Sequence, residues 1–287
     1  MSDYNDLPGL RWSTLKAGLQ SPLHLKHALE AERTDKPCFR KGRRVHTATL
    51  EPHRWGEFYG SPDLSQCKTA KGVPTTSPAA DSVKDAIAKW RTDNPRMEEV
   101  TDAQRDLAFR TAAAVSVHPQ AAAVLSDCDD REVVFEAPIN GIAAKCQADL
   151  FGKRSGTLGD LKTIGKMMTE RALQRQIMDY GYHGQFALYR RVMRAAGFTV
   201  NRCVLIFVET AAPHDVAVVE IGEEWLALGE ELVDTALAAY AEVQAGRVVG
   251  RFPGVVALDV PTWAFADDAN SDDVEGLGLE GVEDGGE

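Results

Sequence analysis

The sequence contains no run of about 18 apolar residues, the least a helix needs to cross a bilayer, so no membrane span is expected. Its first ten residues, MSDYNDLPGL, include acidic side chains and no apolar h-region. A secretory signal is therefore not expected, and the cytoplasm is the expected location. Cysteine is sparse. Cys38, Cys67, Cys128, Cys146 and Cys203 are scattered, and none lies within four residues of another. That spacing excludes a Cys-x-x-Cys metal or redox pair and fits reduced thiols serving as small core residues. No internal repeat is visible. Positive charge is also in short supply, because 32 Lys and Arg face 43 Asp and Glu for a net charge of −11. Much of the excess sits in residues 267–287, which carry nine acidic side chains and no basic one. Removing those nine from −11 leaves the first 266 residues at −2. A near-neutral body has room for a local basic groove, so net charge neither identifies nor excludes a nucleic-acid ligand.

The 44% hydrophobic and 26% charged composition is that of a globular domain. We read residues 1–266 as one domain, with an N-terminal helical region over about 10–125 and a core over about 130–260. The Asp-, Glu- and Gly-rich segment 267–287 reads as a disordered acidic tail, or as a docking segment for a basic partner. Helical patterns cover 11–31 (interrupted at Ser21-Pro22), 42–50, 81–92 and 101–117, with a short one after Pro119. Residues 60–80 read as a loop. The period then changes. Segments 131–138, 143–151 and 156–163 read as three strands, with Asn140-Gly141 a strong hairpin signal between the first two. One long helix is expected over 168–196, stopped by Gly197. Strands at 202–209 and 216–221 and a helix at 223–245 follow. Helix, three strands, long helix, strand predicts an α/β fold with a mixed sheet and flanking helices.

Asp149 ends the second predicted strand, and Asp160 lies near the end of the third. Residues i and i+2 of a strand share a face, so Asp160 and Lys162 project together, away from Leu161. Pairing of the two strands brings Asp149 close. Two carboxylates are hard oxygen ligands suited to Mg²⁺, and an ammonium beside them can neutralise a phosphate or orient or deprotonate a water. Phosphodiester hydrolysis needs these functions. Asp-x-Lys alone is common by chance; the strand context and the upstream Asp149 make it specific.

Further elements extend the set. Gly42-x-x-x-His46 offers His46 as a metal ligand or phosphate contact. Arg40, Lys41, Arg43 and Arg44 beside it form the densest basic cluster of the chain, suited to DNA phosphates. On the long helix, Gln185 and Tyr189 are i and i+4 and share a face; Gln176 and Tyr180 have the same spacing, but the Tyr-His-x-Gln string around Gln185 favours the later pair.

In this order, Gly42-x-x-x-His46, Asp149, Asp160-Leu161-Lys162-Thr163 and Gln185-x-x-x-Tyr189 resemble the RecB-like branch of the PD-(D/E)xK nucleases, and most of all the RecE-type exonucleases of phages and prophages. His118-Pro119, Gln147-Ala148-Asp149 and Tyr180-Gly181-Tyr182-His183 add to the likeness, which spans about residues 10–260. The resemblance implies a restriction-endonuclease-like αβββαβ core with extra N-terminal helices and a Mg²⁺ or Mn²⁺ requirement. It implies 5′-to-3′ digestion of one strand from double-stranded DNA ends, leaving 3′ single strands for recombination. It also implies a cooperating single-strand annealing protein and a ring-shaped homo-oligomer, a tetramer before a trimer. Metal-site residues carried over by position are His46, Asp149, Asp160 and the Leu161 main-chain carbonyl. Lys162 is catalytic, supported by Gln185 and Tyr189. Relatives often add an acid on an early helix; Glu98, Glu99, Asp102 and Asp106 compete for that place, with Glu136 on the first strand a weaker choice. The scattered cysteines do not suggest the iron–sulfur cluster of other relatives. An endonuclease or single-strand nuclease on the same core, or a non-catalytic DNA-end-binding protein, is the alternative.

Overall fold

A computed structural model of the chain describes residues 4, 6–32, 37–165 and 167–261. The expected acidic tail over 267–287 and the domain boundary at 266 lie outside the described residues. The chain to Gly250 forms one unit. In the second, the described residues 251–261 contain no helix or strand. No helix among the described residues is long and apolar enough to cross a membrane.

The N-terminal half is helical, as its periodicity predicts. Helix α1 (Trp12–Leu15) leads through a 3₁₀ turn (Lys16–Leu19) to α2 (Pro22–Glu30). Ser21 caps α2 by accepting the His24 N–H at 3.2 Å, with Pro22 at the first helical position, where no N–H is needed. Next come α3 (Pro37–Leu50), a 3₁₀ turn (Pro52–Arg54) and α4 (Trp55–Phe58). The short strand β1 (Tyr59–Gly60) pairs in parallel with β2 (Glu98–Glu99), and α5 (Asp81–Asp93) lies between them in sequence. Thr101 and Gln104 form a reciprocal capping box that starts α6 (Asp102–Val117), and α7 (Pro119–Asp127) follows.

The sheet comprises β3 (Asp130–Ile139), β4 (Ile142–Gly152), β5 (Thr157–Ile164), β6 (Arg202–Glu209) and β7 (Val216–Glu220), side by side in that order. Asn140 and Gly141, at φ 50° and 80°, make the expected tight turn between β3 and β4. Within this sheet β5 and β6 run parallel, and the other neighbouring strands run antiparallel. Their crossover is helical, but the single helix expected over 168–196 is two, α8 (Glu170–Tyr180) and α9 (Tyr182–Ala195). The cause is Gly181, which turns left-handed at φ 67° and donates its N–H to the end of α8. Trp12 would stand 3.2 Å from a Cβ there, so both backbone strain and crowding select glycine. Helix α10 (Glu223–Gln244) completes the unit.

Helices cover both faces of the sheet. On one, α9 and α10 pack Phe186, Leu188, Val233 and Ala236 against Phe135, Cys146, Ala148, Leu205 and Phe207. On the other, Val45 of α3, Val115 of α6 and Val124 of α7 pack against Leu150, Leu161, Ile206 and Val208. Strand β6 is buried on both faces, which is why its sequence reads as an unbroken apolar run. Cys67, Cys128, Cys146 and Cys203 are buried free thiols. The result is the mixed sheet between helical layers that the sequence predicts.

Candidate active site

The site lies where the sheet splits. Strands β4 and β5 pair only at Leu150–Gly159, Phe151–Leu158 and Gly152–Thr157, whereas β5 stays paired with β6 along its whole length. Beyond Leu150, β4 turns to another partner: Leu10 bonds through its N–H to Ala143 O and through its carbonyl to Lys145 N–H. A wedge therefore opens between β4 and β5. The backbone of Leu161 faces it with no strand opposite, yet buried peptide groups require partners. Side chains supply them. Asp149 Oδ2 accepts the Leu161 N–H at 2.9 Å, and His46 Nε2 donates to the Leu161 carbonyl at 2.6 Å. The divergence of two strands thus brings α3, β4 and β5 together at one point.

A residue absent from the sequence-based set completes the cluster. Glu132 lies opposite Asp149 in the β3–β4 hairpin, but regular pairing skips both, running from Arg131–Leu150 to Val133–Ala148. Glu132 is left-handed at φ 49°, which is uncommon for a residue with a side chain and costs on the order of 1 kcal/mol. Ala148 and Leu150, two residues apart, consequently pack into cores on opposite faces of the sheet. The local twist aims Glu132 into the wedge, where Gln147 Nε2 donates to its Oε2 at 2.9 Å. His46 Nδ1 is then 3.5 Å from Asp149 Oδ2 and 3.8 Å from Glu132 Oε1. One ligand atom from each of His46, Glu132 and Asp149 falls within 4.8 Å of the others.

Asp160 and Lys162 point to the α9 side, as strand alternation requires. Gln185 Nε2 donates to Asp160 Oδ1 at 2.6 Å, and the Lys162 ammonium stands 2.6 Å from Oδ2. Asp160 is only 3% exposed, and Oδ2 has this ion pair but no well-aligned hydrogen bond. Lys162 also lies 4.8 Å from the centre of the Tyr182 ring. Tyr189 lines the same cavity as Gln185 and Tyr182. Burial holds its phenol protonated, well above the ordinary tyrosine range.

The electrostatics are those of a crowded site. Burial and then Asp160 push Asp149 up to about 7. Burial opposes the charge on His46, but Asp149 and Glu132 outweigh it and raise the imidazole to about 9. Burial likewise opposes the Lys162 ammonium, and Asp160 and Asp149 overcome it. An imidazole, two carboxylates and a strand carbonyl, at a point where carboxylates repel, fit a divalent cation.

The other expected residues lie elsewhere. Arg40, Lys41, Arg43 and Arg44 share α3 with His46. Arg44 Nε donates to Glu98 Oε1 at 3.0 Å and Arg43 lies 3.9 Å from Glu98 Oε2, so Glu98 occupies this cluster and not the wedge. Glu99 pairs with Arg91 at 2.8 Å, and both glutamates lie on β2 rather than a helix. Asp106 pairs with Arg110 at 3.9 Å, and Asp102 sits in the first turn of α6, where the helix dipole favours an anion. Glu136 is exposed, opposite Lys145. None of the five joins the cluster; the additional acid is Glu132. Counting outward from the Asn140-Gly141 turn places Glu132 opposite Asp149, so the signal was present in the hairpin register.

The helix-flanked mixed sheet, with Asp149, Asp160 and Lys162 at a split between two of its strands, agrees with the restriction-endonuclease-like core that the motif resemblance implies. Residues 12–253 match the model of the family described as a PDDEXK-like domain of unknown function (DUF3799), and the chain belongs to that family. No curated protein sequence matches it. Among solved structures, it is similar to a candidate exonuclease from Eubacterium rectale at 13% identity and a TM-score of 0.55, over 89% of this chain and 92% of that one. That likeness concerns the fold. A second structure, SSO0001, matches at 16% identity over 53% of this chain and 69% of that one, with a TM-score of 0.27, too low to support an argument.

Proposed function

We propose that the protein is a divalent-metal-dependent exodeoxyribonuclease of the RecE type. It digests one strand of linear duplex DNA from a 5′ end and leaves a 3′ single strand for recombination. One observation carries the nuclease reading: the wedge gathers the His46–Glu132–Asp149 cluster and the Gln185–Asp160–Lys162 chain beside the Leu161 carbonyl. The designation of the Eubacterium rectale protein as an exonuclease agrees with it. The strand polarity, the ring-shaped homo-oligomer and the annealing partner belong to the same proposal and rest on the motif resemblance.

His46, Glu132, Asp149 and the Leu161 carbonyl would hold a Mg²⁺ or Mn²⁺ ion, and such an ion would supply Lewis-acid polarisation of a phosphate and a more acidic water. The chain's own groups do the rest. Gln185 fixes the orientation of Asp160, and Asp160 fixes Lys162. Because its pKa is raised, Lys162 remains an ammonium at neutral pH. It therefore acts by donating to a phosphate oxygen or to the attacking water, not by accepting a proton. Tyr182 shields that ammonium through its ring face.

The reading is tested by incubating end-labelled linear duplex and covalently closed circular duplex with Mg²⁺. Linear DNA should lose nucleotides from its ends, the circle should persist, and EDTA should stop the reaction. Cutting of the closed circle removes the end-dependence, and no cutting of either substrate removes the nuclease assignment.

A further inference from the structure

Beside the wedge lies a cavity of about 190 Å³, lined chiefly by Arg11, Lys16, Tyr180, Tyr182, Gln185 and Tyr189. Among the described residues no carboxylate lines it, although the chain carries a net charge of −11. Two of its walls, Gln185 and Tyr182, touch Asp160 and Lys162, so the cavity is one side chain away from the catalytic groups. Tyr182 stacks on Tyr180, with ring centres 5.6 Å apart and planes 12° from parallel. Tyr180 is 50% exposed. An aromatic pair thus runs from the catalytic ammonium to an open ring at the surface.

Lys16 comes to the same place from the 3₁₀ turn after α1. Its ammonium donates to the Tyr180 carbonyl at 3.2 Å and has no carboxylate partner among the described residues. Burial and the positive charge of Lys162 both lower its pKa. Two ammonium groups that feel each other, next to a free aromatic surface, suit an anion attached to a flat ring. A nucleotide has that chemistry. A base inside a duplex hides both faces in the helical stack, whereas an unpaired base is free to lay a face on Tyr180.

We propose that this cavity is a subsite for one unpaired nucleotide of the cleaved strand, its base stacked on Tyr180 and its phosphate on Lys16. The inference rests on the nuclease reading and adds a requirement to it: the base pair next to the scissile bond opens before the strand is cut.

The test separates binding from cleavage. The full chain carrying Asp160→Asn is titrated, with Mg²⁺, with a single-stranded oligonucleotide that ends in 2-aminopurine. Stacking should quench the fluorescent base on binding. Adding Tyr180→Ala should abolish the quench and raise Kd about tenfold, whereas Tyr180→Phe should keep both, since stacking needs the ring and not the hydroxyl. An abasic residue in place of the fluorescent base should weaken binding by a similar factor when Tyr180 is present and have little effect in Tyr180→Ala. This reads the contact from the DNA side and does not depend on a variant folding. Lys16→Gln should reduce the slope of log Kd against log salt by about 0.7, the share of one phosphate on a single strand. An unchanged quench and Kd in Tyr180→Ala, an equal loss in Tyr180→Phe, or indifference to the abasic residue overturns the subsite. If the unaltered chain digests linear duplex while these effects are missing, the subsite falls and the nuclease reading stands.

Discussion

Glu98 receives Arg44 at 3.0 Å and Arg43 at 3.9 Å, and Glu99 receives Arg91 at 2.8 Å, so the charges around β2 are matched. In the wedge, a few residues along α3 from Arg44, His46 instead faces Glu132 and Asp149, and burial together with Asp160 drives Asp149 up to about 7. The first arrangement ties α3 to the β1–β2 ladder. The second crowds like charges away from water, which costs stability unless a cation relieves it. Matched charge is what architecture uses, and crowded charge in a cleft is what chemistry uses. The basic cluster at 40–44, the most visible charge feature of the sequence, belongs in part to the first kind.

The contrast can be sharpened by substitution. Glu132→Gln should weaken Mg²⁺ or Mn²⁺ binding about 10- to 100-fold by calorimetry, with the folded state retained. Binding as tight as in the parent would remove Glu132 from the cluster. The pH dependence of stability gives a second handle. Both Asp149 and His46 have folded pKa values raised above their ordinary ones, to about 7 and about 9. Each therefore contributes stability that is fully present below its ordinary pKa and lost as pH rises through the folded value. The metal-free protein should lose stability as pH climbs from the ordinary carboxylate range towards 9. Since a cation competes with those protons, the gain in Tm on adding Mg²⁺ should be larger near pH ~8 than near pH ~5. An equal gain at both, by scanning calorimetry, would place the cation elsewhere. The smallest effect is expected outside the wedge. Arg44→Ala should cost roughly 1 kcal/mol of stability, as befits one partly exposed ion pair, and change the digestion rate less than about threefold. A larger loss of rate would show that Glu98 does not satisfy Arg44 and that the arginine acts on DNA.

The legible and illegible parts divide along physical lines. Turn chemistry and periodicity are local, so the Asn140-Gly141 hairpin, the strands and α10 could be read directly. Asp160 and Lys162 were legible because strand alternation fixes their common face. Two features depended on backbone handedness. Gly181 breaks the helix at a residue that periodicity runs straight through, and its selection by Trp12 is a contact from the far end of the chain. Glu132 reaches the cluster only through its left-handed backbone opposite Asp149. The early-helix candidates Glu98, Glu99, Asp102 and Asp106 stay outside the cluster, and the sheet's first strand supplies the acid through Glu132 and not through the exposed Glu136.

Metal-dependent phosphodiester hydrolysis at the wedge is the activity we propose. Its most direct test is the rate of nucleotide release from end-labelled linear duplex with Mg²⁺, compared between the unaltered chain and Asp160→Asn, with circular dichroism as the check on folding. The dichroism spectrum should be unchanged and the rate lower by about a thousandfold or more, equivalent to roughly 4 kcal/mol of transition-state stabilisation. A folded Asp160→Asn protein that digests DNA at the rate of the parent would contradict it.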